Sequence, residues 1–159
     1  MDKDKMQDGF RNEAVSHTLY KIYGDKAKSE GLLDIAKLFY DTSENDFAHA
    51  RMFFDEMNGD TIVEDDLLRA AKQKEAAAKN YKDWHDEEGD VCLQALSDVE
   101  AMHGEQFRTT LDEFDNGRAF SSDTPSKWQC RHCGFIAEGR DAPTVCPLCL
   151  GSQGCFHKM

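Results

Sequence analysis

A chain of 159 residues with a formal net charge of −12 can form one ordinary domain, or one domain with a small metal-stabilised module. The strong negative charge makes nucleic acid and anionic membranes poor partners. No apolar run approaches bilayer length and no signal segment opens the sequence, so we expect a cytoplasmic protein that keeps its thiols reduced.

The first 124 residues contain none of the three prolines, which permits long uninterrupted helices. Polar breaks containing glycine divide this part into four segments, at residues 29–31, 58–60, 87–90 and 116–117. Each segment repeats apolar residues at helical spacing, and short connections make successive helices antiparallel. The pattern predicts an all-α four-helix bundle over residues 1–116.

Two helix starts carry capping signals. Thr61 followed by Glu64 has the spacing of a capping box, which predicts the start of the third helix. Asp90, directly after a glycine, is suited to cap the fourth helix.

Polar residues interrupt the apolar stripes of the second and fourth helices. Asp46 precedes His49 by three residues, and Glu100 precedes His103 by the same interval, so each pair lies one turn apart on an inward stripe. One such pair is common on a solvated helix face. Two in a repeated arrangement favour a metal site, because an unpaired buried carboxylate is costly.

The first and third helices add acidic residues, Glu13 and Glu75, midway along their inward stripes. Four carboxylates and two histidines at one level of a bundle match the ligand set of a di-iron carboxylate site. His17 is predicted to be a hydrogen-bonded core histidine rather than a seventh ligand. Tyr20 and Tyr81 are predicted core residues whose hydroxyls reach polar groups, and Tyr20 is a candidate to hydrogen-bond a ligand carboxylate.

Four cysteines near the C-terminus form two pairs, Cys130-x-x-Cys133 and Cys146-x-x-Cys149. Each pair can place two thiolates on one side of a tight turn, and two such turns can enclose one tetrahedral ion. Thiolates suit both zinc and iron, and the alternative of disulfide pairing is less compatible with this spacing. The motif predicts a metal site without fixing the metal.

Residues 127–159 are too few to bury a self-sufficient core, so the metal is expected to supply their folding energy. The polar stretch 117–126 is predicted to link this module flexibly to the helices. Cys92 and Cys155 are left over, and each is predicted to act as a small hydrophobe rather than a ligand.

Several runs of sequence then point to one family. Residues 128–136 and 142–149 follow the pattern of a rubredoxin-like domain, while Glu13 within Phe-Arg-Asn-Glu-Ala, residues 42–50 and residues 99–103 match three helices. At these positions the chain resembles rubrerythrin, a ferritin-like di-iron bundle followed by a rubredoxin-like domain. The resemblance covers nearly the whole chain, and the combination of two domains is more specific than either half.

Three features depart from the family pattern. Asp46 stands where the family has glutamate, one methylene longer. Glu75 is alone on the third helix, where rubrerythrins carry two acidic ligands one turn apart. The hairpin between the third and fourth helices is also shorter.

The resemblance implies an iron-dependent peroxidase that reduces hydrogen peroxide to water in oxidative-stress defence. It implies two bundle irons and one iron (or zinc) in the four-cysteine site, which relays electrons from an external reductase. It also implies a homodimer. The implied bundle ligands are Glu13, Asp46, His49, Glu75, Glu100 and His103. The implied thiolate ligands are Cys130, Cys133, Cys146 and Cys149.

Two alternatives stay open at this point. The altered bundle site is also compatible with an oxidase or ferroxidase that takes dioxygen as its substrate. A degenerate bundle site would instead leave a non-catalytic electron carrier or metal-binding protein.

Overall fold

The computed structural model describes residues 2–159 and contains four long helices followed by a small sheet. The helices are α1 (Lys3–Ser29), α2 (Leu33–Asn58), α3 (Val63–Glu88) and α4 (Val91–Asp115). The strands are β1 (Ser121–Cys130), β2 (Ile136–Asp141) and β3 (Phe156–Lys158), and a 3₁₀ turn (Gln153–Cys155) precedes β3. These elements confirm the predicted fold class, in which four helices precede a small β region. Across residues 2–159, none of the helices is both long enough and apolar enough to cross a membrane.

The helices end at the predicted breaks. Gly89 follows α3 with a φ of 73°, a left-handed conformation that strains other residues, and its N–H donates to the His85 carbonyl at 2.7 Å. The Asp90 carboxylate accepts the Cys92 N–H at 2.8 Å, which confirms the predicted cap of α4. The predicted capping box of α3 is wrong by one residue, because Ile62 rather than Thr61 occupies the N-cap position.

The chain divides into two compact units, the first ending at Thr61 and the second beginning at Ile62. α1 and α2 form a hairpin in the first unit, whereas α3, α4 and the sheet belong to the second. The division into 1–116, 117–126 and 127–159 stays a prediction. β1 begins at Ser121 and therefore includes the second part of the predicted linker.

Small residues bring α1 and α2 together. Ala36, Ser43 and Ala50 repeat every seven residues along α2 and are buried, as is Gly24 on α1. The Ser43 hydroxyl donates to the His17 carbonyl of α1 at 2.9 Å, so the one buried hydroxyl in this contact is satisfied.

We expect Gly24→Ala to destabilise the α1–α2 hairpin. A Cβ on Gly24 would lie 2.5 Å from the Tyr40 ring, and the Tyr40 hydroxyl is held by Asp25 at 2.7 Å. Overpacking of this kind costs about 1–3 kcal/mol, more than the roughly 0.5–1 kcal/mol that alanine gains over glycine within a helix. Urea denaturation followed by circular dichroism measures the change. In a Tyr40→Ala background the same substitution should be neutral or stabilising, and an equal loss in both backgrounds would contradict the steric explanation.

Small buried residues also line the contact between α3 and α4. Ala71 and Ala78 of α3 are buried against Ser97 and Gly104 of α4, and the Ser97 hydroxyl donates to the Ala78 carbonyl at 2.9 Å. A Cβ on Gly104 would lie 3.3 Å from Cγ of Glu75, so the stem of Glu75 packs directly on this glycine.

The three strands form an antiparallel sheet in the order β2-β1-β3. Trp128 in the central strand is 1% exposed, and its indole N–H donates to the Gly139 carbonyl of β2 at 3.1 Å. Phe156 of β3 and the buried Cys130 and Cys146 complete the core of this module. Two of the four predicted metal ligands, Cys130 and Cys146, are therefore also core residues of this module.

Candidate metal centres

The first candidate centre lies on the α1–α2 hairpin. Glu13 on α1 and Asp46 and His49 on α2 bring one ligand atom each within 4.8 Å of one another. His49 Nδ1 lies 3.1 Å from Glu13 Oε2 and 4.0 Å from Asp46 Oδ1. The Asp46 side chain is 13% exposed and that of Glu13 is 30% exposed, so both carboxylates are partly desolvated. Two carboxylates and an imidazole suit a divalent cation of the first transition row.

The second candidate centre lies on the α3–α4 hairpin and differs from the first. Glu100 and His103 lie one turn apart on α4, with His103 Nδ1 4.0 Å from Glu100 Oε2. Lys74 of α3 places its Nζ 2.7 Å from the same Oε2 atom. This contact is an ion pair rather than a regular hydrogen bond. Its distance is short, but its angles fall outside the range of a hydrogen bond to the buried Oε2 atom.

Glu75 is not brought to Glu100 and His103. Its carboxylate pairs with Arg108 of α4, whose Nη2 donates to Glu75 Oε2 at 2.7 Å and whose Nε donates to Oε1. The hydrogen bond from Arg108 lowers the pKa of Glu75. Between the buried Ala71 and Ala78, Lys74 is half-buried and Glu75 is exposed, so the assignment of Glu75 as a metal ligand stays a prediction.

Two other polar residues of α1 have structural contacts. His17 Nδ1 lies 2.9 Å from the Ser43 carbonyl oxygen, which confirms the prediction of a hydrogen-bonded histidine. Tyr20 packs its ring against Tyr23 and Phe39, with centroid separations of 6.3 and 6.0 Å. Among residues 2–159, no hydrogen bond joins the Tyr20 hydroxyl to Glu13, and about two helical turns separate the two residues along α1.

The four-cysteine cluster is fully assembled. Cys130 Sγ lies 3.7 Å from Cys149 Sγ, and Cys133 Sγ lies 3.6 Å from Cys146 Sγ. All four thiols are free rather than disulfide-bonded, and their sulfurs lie within 4.8 Å of one another. The leftover cysteines lie outside this group, Cys92 being exposed and Cys155 half-buried.

Backbone amides and burial give these thiols unequal pKa values. At Cys133 the Phe135 amide lowers the pKa, but burial and the neighbouring sulfurs outweigh it and raise the pKa to about 12. At Cys146 burial raises the pKa, whereas the amides of Cys149 and Leu148 and the neighbouring sulfurs lower it to about 7. Gly134, with a φ of 79°, adopts the left-handed conformation that permits the first turn.

The charges and hydrogen bonds of the candidate ligands indicate whether each group can bind a metal ion. Four clustered sulfurs cannot all ionise without a cation, and a tetrahedral ion supplies one. On the helices, the buried Glu100 Oε2 makes no regular hydrogen bond, and the Lys74 ammonium lies 2.7 Å from it. The three groups on α1 and α2 need no rearrangement of helices to share an ion. The residues therefore fit metal binding at the thiolate cluster and on the first hairpin, whereas Lys74 competes for Glu100 on the second.

These features define a helical metalloprotein with carboxylate and imidazole ligands and a separate rubredoxin-type module. Comparison with protein families gives a match to the family described as Rubrerythrin over residues 4–91 and to "Rubrerythrin, rubredoxin-like domain" over residues 128–157. The first match covers more than half of the chain. The chain therefore belongs to the rubrerythrin family.

Similar proteins of comparable length support this assignment. Rubrerythrin-1 of Clostridium acetobutylicum is 28% identical over 179 aligned residues, which cover 97% of this chain and 92% of the relative. Rubrerythrin of Nitratidesulfovibrio vulgaris is 25% identical over 169 residues, covering 93% and 88% of the two chains. Membership of this family supports an oxidoreductase and implies a di-iron site and a rubredoxin-type iron site.

A solved structure of nigerythrin in a mixed-valence state is 19% identical and covers 99% of this chain and 86% of its own. Its TM-score of 0.34 is too low to carry an argument about the arrangement of the elements.

Proposed function

We propose that the protein reduces hydrogen peroxide to water at two iron ions bound by its helices. Electrons are passed one at a time from a third iron in the four-cysteine cluster. The observation that carries this proposal is the grouping of Glu13, Asp46 and His49 within 4.8 Å, in a chain that also holds four sulfurs around one point. A carboxylate–imidazole site and a thiolate site in the same chain favour a two-electron reductase over a binding module.

The proposed ligands of the two bundle irons are the six residues named from the sequence. They are Glu13, Asp46, His49, Glu75, Glu100 and His103. Glu75 can contribute only if its ion pair with Arg108 opens, because Arg108 holds both carboxylate oxygens. A role for the Tyr20 hydroxyl also stays a proposal, since its ring lies in an aromatic cluster about two turns from Glu13.

The balanced reaction joins one hydrogen peroxide with two electrons and two protons to give two water molecules. If two ferrous ions were held by these ligands, they would supply the two electrons and polarise the oxygens of the O–O bond. The protein's own groups orient the proposed ligands. The Glu13 carboxylate lies 3.1 Å from His49 Nδ1 and fixes the orientation of the imidazole ring. In the thiolate module, amide hydrogen bonds to the sulfurs would stabilise the more negative reduced state of a bound iron and so raise its reduction potential.

The remaining elements of the proposal concern partners and location. An external reductase has to reduce the thiolate iron, because the reaction consumes two electrons in each turnover. A homodimer is proposed as well, and it would cover exposed apolar side chains such as Leu38, which is 66% exposed. A reducing compartment such as the cytoplasm suits four cysteines that must stay available for a metal.

Metal analysis and anaerobic kinetics test the proposal together. We expect three irons in each chain, visible absorption from the ferric thiolate site, and oxidation of the reduced protein by peroxide faster than by oxygen. Faster oxidation by oxygen would favour the oxidase alternative. One iron or zinc in each chain would instead indicate an electron carrier or structural metal protein and overturn the peroxidase.

The variant His103→Ala sharpens this test. It should lose bundle iron and peroxide turnover but keep the absorption of the thiolate iron. His85→Ala is the matched control, because His85 lies at the end of α3 and hydrogen-bonds the Asp90 carbonyl at 2.8 Å instead of a proposed ligand. Unchanged bundle iron in His103→Ala would contradict the ligand assignment.

A further inference from the structure

A lysine occupies the inward stripe of α3 at the level of the second candidate centre. Lys74 follows the buried Ala71 by three residues and precedes the buried Ala78 by four, which is the spacing of one helix face. Its side chain is 35% exposed, less than the 74% of the surface residue Lys79. The aliphatic stem of Lys74 is therefore packed, and its ammonium is directed to Glu100 rather than to bulk water.

The ammonium lies where it neutralises a candidate metal ligand. Nζ is 2.7 Å from Glu100 Oε2, a buried oxygen that makes no regular hydrogen bond, and the Glu100 side chain is 16% exposed. Glu75 cannot draw Lys74 away, because its carboxylate is held by Arg108. Glu100 is therefore paired with a cation that the protein itself supplies.

The two hairpins consequently differ in charge. Glu13 and Asp46 contribute two negative charges, and His49 is an imidazole that a metal binds in its neutral form. On the other hairpin the charge of Glu100 is cancelled by Lys74, and His103 adds none while neutral. A divalent ion is thus attracted to the first group, but at the second it meets an ammonium on the oxygen that it needs.

We propose that Lys74 makes the two bundle metal positions unequal, an inference that rests on the proposed function. The position held by Glu13, Asp46 and His49 fills first. The position that needs Glu100 and His103 fills only when the Lys74 ammonium swings away from Glu100. Lys74 thereby sets the order of metal loading and lowers the affinity of the second position.

Titration with cobalt(II) under anaerobic conditions tests this proposal without measuring turnover. The full-length protein is first given one equivalent of zinc to occupy the four-cysteine site, and cobalt binding is then followed by calorimetry and visible absorption. The wild type should take up two cobalt ions in two separate steps. Lys74→Met, which keeps the apolar stem, should tighten the second step by about tenfold or more and leave the first unchanged.

Lys79→Met is the matched control, because Lys79 pairs with Asp83 on the exposed face of the same helix. It should leave both steps unchanged. Lys74→Glu should tighten the second step further than Lys74→Met, since it adds a carboxylate ligand. A second step unmoved in Lys74→Met, or an equal shift of both steps, would overturn the role of Lys74 while leaving the metal site in place. If no variant bound cobalt after zinc loading, the proposed function itself would fail, and the role of Lys74 with it.

Discussion

Cys146→Ala should unfold the sheet module while the four helices remain folded. The Cys146 side chain is fully buried in the core that contains Trp128 and Phe156, so its loss removes a metal ligand and a core contact together. Binding of a structural metal by a module of this kind contributes about 10–16 kcal/mol to folding. The loss therefore exceeds any stability that some thirty residues can draw from their own core.

Tryptophan fluorescence and circular dichroism measure this outcome. Trp128 is 1% exposed and should move to the emission of a solvated indole, and a Trp84→Phe background removes the signal of the half-exposed Trp84. The helical circular dichroism should persist and the thiolate absorption should disappear. Cys92→Ala is the control, because Cys92 is exposed on α4 and lies outside the cluster. Buried Trp128 emission in Cys146→Ala would mean that the module folds without its metal.

The helix boundaries and the thiolate site could be read from sequence because each depends on local chemistry. A glycine that must adopt positive φ ends a helix whatever surrounds it, as Gly89 does with a φ of 73°. A Cys-x-x-Cys turn likewise presents two sulfurs to one point through its own backbone. Pairs one turn apart, such as Asp46 and His49, share a helix face for the same reason.

The pairing of Glu75 with Arg108 could not be predicted from the local sequence. An apolar stripe allows steps of three or four residues, so Lys74 and Glu75 both fit between Ala71 and Ala78. The choice between them depends on α4, where Gly104 admits the stem of Glu75 and Arg108 takes its carboxylate. Neither contact is visible in the sequence of α3 alone.

The start of β1 within the polar stretch 117–126 could not be predicted from the sequence either. Its serines, aspartate and proline are typical of a linker, yet β1 begins at Ser121. Ser121 pairs with Asp141 of β2, and a register shift separates this pair from the pairing of Ser126 with Gly139. Irregular pairing of this kind depends on a partner strand and leaves no periodic signal.

Asp46→Asn should abolish metal loading at the bundle while preserving the shape of the side chain. Asp46 is the least exposed of the three groups on the first hairpin, at 13%, so no water-exposed carboxylate substitutes for it easily. An amide provides neither the charge nor the basicity of a carboxylate, and metal affinity should fall by more than about 100-fold, since even outer-shell changes cost 10–100-fold. Peroxide turnover should fall in proportion to bundle iron, and the thiolate iron should remain.

Asp55→Asn and Asp46→Glu complete this experiment. Asp55 lies on the exposed face of α2 with Arg51 at 3.6 Å, so its amide variant should load metal like the wild type. Asp46→Glu restores the longer side chain of the family pattern and should keep bundle iron, because charge and donor type are unchanged. Full iron loading in Asp46→Asn would show that Asp46 is not a metal ligand and merely shares a helix face with His49. Loss of iron in Asp46→Glu as well would show that the shorter carboxylate is matched to the spacing between α1 and α2 in this chain.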